Sequence, residues 1–414
     1  MSSTSKKLKV AVVSYVVINN TYSGQKKRIF DLVEGLSALC EVTYIEISDK
    51  KLGRAVQPLS EQKVLFKKLD LNYSFLVRLF LGLLHKISYP FLGLKKSIFV
   101  GWWGAYSNRK NICTWEYDII ISEYFMSSFF FKYITNDALK VIDMHDIQYL
   151  TLQEKLKSSK SIFRNFQMSY ARKFELKQLG VADVLMAVNL DEIALLKQTI
   201  TSNFIFTPLT VKEQRQALGK TLSHNRPLTL AYFAGLSSKR SYLEIEYILQ
   251  TIMPPLAEKV GVNLELHIIG SSPTTALIHL IEQHKNVVLI GEVSDIQEAF
   301  KQVDFGINYW MGSAYGFRTR VLDVLATGTP VFLNRACVAG MGMDDSKGLF
   351  FYEETEQIIT TIDYYLDDTE RYLELSAECI NVANRYSGSK VYGDLYENLI
   401  EIYRQFNASK KVKG

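Results

Sequence analysis

FGINYWMGSAYGFRTRVLDVLATGTPVFL, residues 305–333, holds in one run the alternation that decides how this chain folds. Phe305–Tyr309 is an apolar run of strand length, and Gly312-Ser313-Ala314 breaks it. A helical pattern follows from Gly316, and Pro330–Leu333 returns to strand. Gly328 caps the helix, and Pro330 bars its continuation. Val321, Leu322 and Leu325 share a core-facing side, while Gly316, Arg320 and Asp323 share the other. The amides at such a helix start suit a phosphate or diphosphate. Gly316, followed by Phe317, lets the backbone approach that anion, and Arg318 and Arg320 add forked, permanently charged donors. Asp323 is spaced to accept hydrogen bonds from both hydroxyls of a ribose; the alternative is a helix acid partnered by Arg320.

The same alternation extends in both directions. The second half reads as strands Leu228–Phe233, Leu264–Ile269, Val287–Ile290, Phe305–Tyr309 and Pro330–Leu333 with helices between. The first half reads as strands Lys9–Val17, Glu41–Ile47, Tyr117–Ser122, Leu139–Asp143 and Asp183–Val188, with a helix over Gly24–Leu39 and long helical patterns over 146–180. Such alternation predicts parallel βαβ units, hence an α/β chain of two Rossmann-like domains with a ligand at the carboxyl ends of the strands. The expected division is an N-terminal domain over 1–206, a linker over 207–226, a C-terminal domain over 227–386 and terminal helices over 387–414.

Composition narrows the class. With 414 residues, 48% hydrophobic and 22% charged, the chain has ample core and is not disordered. Cys40, Cys113, Cys337 and Cys379 lie far apart without a CxxC pair, which argues against structural zinc or a disulfide framework and for a reducing compartment. No Asp-x-Asp pair suggests a metal site, so none is expected. No signal-like segment and no run of about 20 uninterrupted apolar residues is found, so the expected location is cytoplasmic, with a peripheral place on the inner face of the plasma membrane as the option that residues 63–110 open.

The net charge of +5 is uneven: residues 1–205 hold 28 Lys+Arg against 18 Asp+Glu, and residues 206–414 hold 20 against 25. Residues 63–110 contain nine basic residues and one acid, Asp70, interleaved with aromatic and aliphatic side chains. That composition suits an element on an anionic membrane surface; a packed helical insertion is the alternative, and no nucleic-acid motif is present.

The run from Gly316 to Val331 resembles the nucleotide-sugar motif of glycosyltransferase family 4, whose members have the GT-B fold. Ala231–Ser241, Leu266–Pro273 and Val288–Asp295 resemble that family's donor-domain strands and loops, and Val141–Asp146 resembles the strand end that places a histidine near the reacting sugar. Phe174-Glu175 and Ala182–Asn189 resemble the helix and strand that follow it. Tyr315 stands where many members have a first acid, and Leu236 where an arginine often follows Gly235; Lys239 or Arg240 could compensate.

The resemblance implies two Rossmann-like domains with a cleft between them and terminal helices that pack back on the first. It also implies a retaining transfer of a hexose from a UDP- or GDP-linked sugar, with no cofactor beyond that co-substrate; metal independence is expected because Arg318, Arg320 and the helix-start amides can take a metal's place. The basic aromatic stretch over 63–110 suggests an acceptor at the membrane, a glycan or lipid-linked saccharide. Donor contacts fall to Gly235, Lys239, Arg240, Gly316, Phe317, Arg318, Arg320 and Asp323. His145 and Asp146, with Arg320, are the catalytic candidates, and Ser23 and Gly24 lie on the acceptor side. A nucleotide-sugar epimerase of the same fold, a non-catalytic binding subunit and a protein-modifying transferase stay open as alternatives.

Overall fold

The computed structural model describes residues 7–411 apart from 19–23, 49–63, 72–73, 158–161, 215–221, 223–225, 260–262, 313–317 and 367. The chain divides into two units, Met1–Pro208 with Val391–Gly414, and Leu209–Lys390. The second unit thus starts inside the stretch expected to be a linker, where Val211 bridges Ser387.

The first unit is built on β1 (Lys9–Ser14), β2 (Glu41–Ser48), β3 (Leu65–Asp70), β4 (Ile119–Glu123), β5 (Leu139–Asp143), β6 (Val184–Ala187) and β7 (Asn203–Phe206). Their order is β3-β2-β1-β4-β5-β6-β7, and every pairing is parallel. A parallel sheet is covered on both faces, so its strands read as continuous apolar runs. Val10 and Val12 enter one core cluster, and Ala11 and Val13 the other, as a period of two requires. The long terminal helix Gly388–Lys411 lays Val391, Tyr392, Leu395 and Leu399 on the Val10 face. Gly35 lets it approach: a Cβ there would lie 2.3 Å from the Tyr392 ring.

The second unit is built on β8 (Leu228–Phe233), β9 (Leu264–Ile269), β10 (Val287–Gly291), β11 (Phe305–Asn308), β12 (Val331–Leu333) and β13 (Leu349–Phe351). Its order, β10-β9-β8-β11-β12-β13, is again parallel throughout. Strand order reverses between β8 and β11, the place where a doubly wound sheet opens a crevice for a ligand.

Three strands escape the sequence pattern: β3, β7 and β13. All three are sheet edges, where one side needs no neighbour and the apolar run is short or broken by charge, as in LFKKLD of β3. The helix of the decisive stretch is shorter than its pattern, spanning Thr319–Leu325 with Arg318 at its N-cap. Its first turn therefore lies three residues beyond Gly316, which falls outside the described residues.

Candidate functional site

Four strand ends of the second unit frame an open pocket of about 690 Å³. Phe233 and Gly235 come from the end of β8, Gly270 and Ser271 from β9, Glu292 and Ser294 from β10, and Trp310 from β11. Arg240, Ser241 and Glu244 on the helix Lys239–Tyr247, and Arg318, Arg320 and Asp323 on or before the helix Thr319–Leu325, complete it.

The strand-end loops are knitted by backbone bonds. Leu236 N–H donates to Ser271 O at 2.9 Å, and Gly270 N–H to Gly291 O at 2.8 Å. Only glycine fits at 270, because a Cβ would stand 1.7 Å from the Ala234 carbonyl oxygen. Ser238 caps the helix Lys239–Tyr247, accepting from Ser241 N–H at 3.1 Å, and Ser241 Oγ donates to Gly235 O at 2.6 Å. Leu236, where relatives often carry arginine, is fully buried and belongs to the core. Of the two cations on the helix that follows, Arg240 lines the pocket, while Lys239 is exposed outside its lining.

Three arginines converge on one indole. The guanidinium carbons of Arg318, Arg240 and Arg320 lie 4.0, 4.2 and 5.2 Å from the Trp310 ring centroid. The electron-rich ring face offsets part of the repulsion among them. Arg320 is also anchored from below: both terminal nitrogens donate to Glu244 Oε2 at 3.2 Å, and the Tyr232 hydroxyl donates to the same oxygen at 2.6 Å. Burial works against the Arg320 charge, but Tyr232 and Glu244 hold its pKa above the ordinary value. Arg318 differs. Burial pushes its pKa down to about 10, with Cys337 opposing and Arg320 and Arg240 adding to the fall. An anion brought here relieves that crowding, so the pocket is suited to a phosphate or diphosphate.

Of the residues singled out from sequence, the pocket gathers Gly235, Arg240, Arg318, Arg320 and Asp323. Gly316, Phe317 and Ser23 lie outside the described residues. Trp310 and Glu244 were not foreseen. Trp310 lies two residues past the end of β11 at the crevice, a position that strand-end reasoning could have flagged; Glu244 has no such signal.

The first unit holds a buried acid–base cluster at the ends of β4 and β5. His145 sits at φ +59°, and its ring stacks on Tyr124 at 4.1 Å. His145 Nε2 lies 2.6 Å from Glu123 Oε2 and 3.8 Å from Asp143 Oδ2. Arg28 clamps Asp143 with two bonds, Nε to Oδ2 at 2.8 Å and Nη2 to Oδ1 at 2.7 Å. Burial and the neighbouring Asp143 raise the Glu123 pKa.

With Nε2 held by Glu123, Nδ1 is the ring nitrogen left for other chemistry. Glu123, Asp143 and His145 have metal-ligand spacing, the one such group among the described residues, but Arg28 already occupies Asp143. Asp146 turns to its own helix, accepting from the Gln148 amide and, at 3.4 Å, from Thr151 Oγ1. Gly24 opens the helix Gly24–Ser37, and a Cβ there would meet nothing within 4 Å.

Residues 228–368 match the family described as glycosyl transferases group 1, and every pocket residue falls within that span. No curated protein matches the sequence. Several solved structures share the fold. Sucrose-phosphate synthase from Thermosynechococcus elongatus aligns with TM-score 0.61 at 14% identity, over 95% of this chain and 100% of that one. Anabaena HepE, in complex with UDP and glucose, aligns with TM-score 0.58 at 12% identity, over 95% and 100%. A variant of S. aureus TarM, in complex with Fondaparinux, alpha-GlcNAc-glycerol and UDP, aligns with TM-score 0.59 at 10% identity, over 96% and 99%. At these identities the likeness is one of fold.

Proposed function

We propose that this chain, a glycosyltransferase of the GT-B fold, moves a hexose from a UDP- or GDP-linked sugar to a hydroxyl of a lipid-linked or cell-surface glycan precursor. The observation that carries the donor half is the convergence of Arg240, Arg318 and Arg320 on Trp310 at the strand ends of the matched domain. UDP in the HepE and TarM complexes supports a nucleoside diphosphate here.

The chemistry follows from that charge. The bond between the anomeric carbon and the diphosphate breaks with its electron pair leaving on the phosphate oxygen. Arg240 and Arg318 hold the charge as it develops, a role a divalent metal fills in other transferases. Asp323 receives the ribose hydroxyls, and Arg320 keeps Glu244 compensated beneath the pocket. The acceptor hydroxyl oxygen bonds to the anomeric carbon in the diphosphate's place, and its proton passes to His145, which Glu123 holds. Retention of configuration rests on the resemblance of the Gly316–Val331 stretch to family 4, and metal independence on the arginine charge and the lack of an Asp-x-Asp pair in the sequence.

A thermal-shift screen against UDP, GDP, ADP and their sugar conjugates tests the donor half. A ligand at 100 times its Kd adds about 2.7 kcal/mol to the unit that binds it. The expected result is a shift with one nucleotide family, lost in Arg240→Ala and Arg318→Ala. No shift with any nucleotide at millimolar concentration would overturn the proposal.

A further inference from the structure

The helix Phe75–Leu92 has two apolar faces, where a surface helix ordinarily has one. Its inner stripe, Val77, Leu81, Leu84, Ser88 and Leu92, steps by three or four residues and is buried or half-buried. That stripe packs on the helices Lys96–Ser107 and Arg164–Leu179. The outer stripe, with Phe75, Leu76, Leu79, Phe80, Leu83 and Ile87, is exposed, Phe75 at 79% and Leu76 at 72%. The apolar surface continues onto the second helix, where Phe91 meets Phe163 edge-on at 4.9 Å and Phe166 is again exposed. A patch of this extent marks an interaction site.

We propose that this surface docks the protein on an anionic lipid bilayer, with the helix Phe75–Leu92 lying in the plane of the interface. Charge selects the bilayer. From Phe75 to Trp115 the sequence has six Lys and Arg, among them Arg78, Lys86 and Lys96, and no Asp or Glu. Arg78 and Lys86 are exposed beside the outer stripe. Apolar side chains ringed by bases are the pattern of an interfacial helix on acidic headgroups, whereas the core of a protein–protein interface is depleted in lysine.

By length and composition the helix could cross a membrane. Its inner stripe is spent on the unit, however, and its C-terminal turn is tied down. Gln167 Nε2 donates to the Tyr89 carbonyl at 3.2 Å and also to that of Pro90, and Gly93 ends the helix at φ +67°. Lying flat keeps these contacts; crossing breaks them. The inference deepens the reading of a membrane-borne acceptor.

The test is flotation of the full chain with vesicles of neutral phosphatidylcholine, or with 30% phosphatidylglycerol added. Binding is expected with the anionic vesicles and is expected to weaken with salt. Each base near the surface contributes about fivefold, so Arg78→Glu with Lys86→Glu lowers partition by about 25-fold or more. Leu79→Ser with Leu83→Ser lowers it by about tenfold or more per side chain. All four positions are exposed, so the variants keep the fold.

Absence of binding, or equal binding to both vesicle types, would overturn the proposal. So would a concentration-dependent dimer in light scattering that Leu79→Ser abolishes, since a second copy would then cover the face. The nucleotide shift run on the same samples reports the donor reading separately.

Discussion

Replacing Arg320 with alanine separates an arginine that holds the fold from one that holds a ligand. Glu244 is fully buried, and among the described residues it pairs with Arg320, whose side chain is 13% exposed. Removing one partner of a buried pair leaves an uncompensated charge and costs about 3–5 kcal/mol. For a unit the size of Leu209–Lys390, each kcal/mol lowers Tm by about 2–4 °C, so the expected fall is about 6–20 °C. Arg320→Met combined with Glu244→Gln removes both charges while the amide oxygen still accepts from Tyr232. The pair is expected to recover most of that loss and to retain nucleotide binding through Arg240 and Arg318. Arg240→Ala, at an exposed position, is expected to leave Tm nearly unchanged and to lose the nucleotide shift. Calorimetry that resolves the second unit's transition, with and without nucleotide, measures all four proteins. If Arg320→Ala stays within about 2 °C of the parent and loses only nucleotide binding, the strut reading of Arg320 is refuted.

Three further outcomes follow from the same geometry. Glu123→Gln deprives His145 Nε2 of its charged partner and is expected to lower kcat by about 100-fold or more with donor KM unchanged; a rise in KM alone would count against it. Gly270→Ala drives a Cβ into the Ala234 carbonyl and is expected to cost about 2–3 kcal/mol and the nucleotide shift, whereas Gly235→Ala, with nothing within 4 Å, is expected to leave Tm unchanged. Burial pushes the Glu175 carboxyl up to about 8, against the pull of the Gln148 and Tyr149 amides. Between the ordinary carboxylate value and 8 the folded state holds the extra proton, so stability is full at low pH and falls as pH rises through that window. Melting curves from pH 5 to 8 are expected to lose that slope in Glu175→Gln; parallel curves would refute it.

Much of this protein is written locally. Alternating apolar runs and breaks determine two parallel sheets, because a strand buried on both faces must be apolar along its middle, as Val10–Val13 of β1 and Ile119–Ile121 of β4 are. The stretch around Arg318, Arg320 and Asp323 likewise points to the pocket that the structure forms there, since charge, spacing and a strand end coincide in one segment. Edge strands escape because exposure on one side removes the signal, as β3 shows.

Tertiary structure alone decides which charges are spent and which face the pocket. Arg320 and Arg318 look equivalent in sequence, yet Glu244, 76 residues away, neutralises the first. Glu123 and Arg28 become partners of His145 and Asp143 only because β4 and β5 pair in parallel and the helix Gly24–Ser37 crosses beside them. The apolar residues of Phe75–Leu92 read as core or as surface with equal ease in one dimension. Packing assigns Leu81 inward and Leu79 outward, because one helix side has neighbours and the other has none among the described residues.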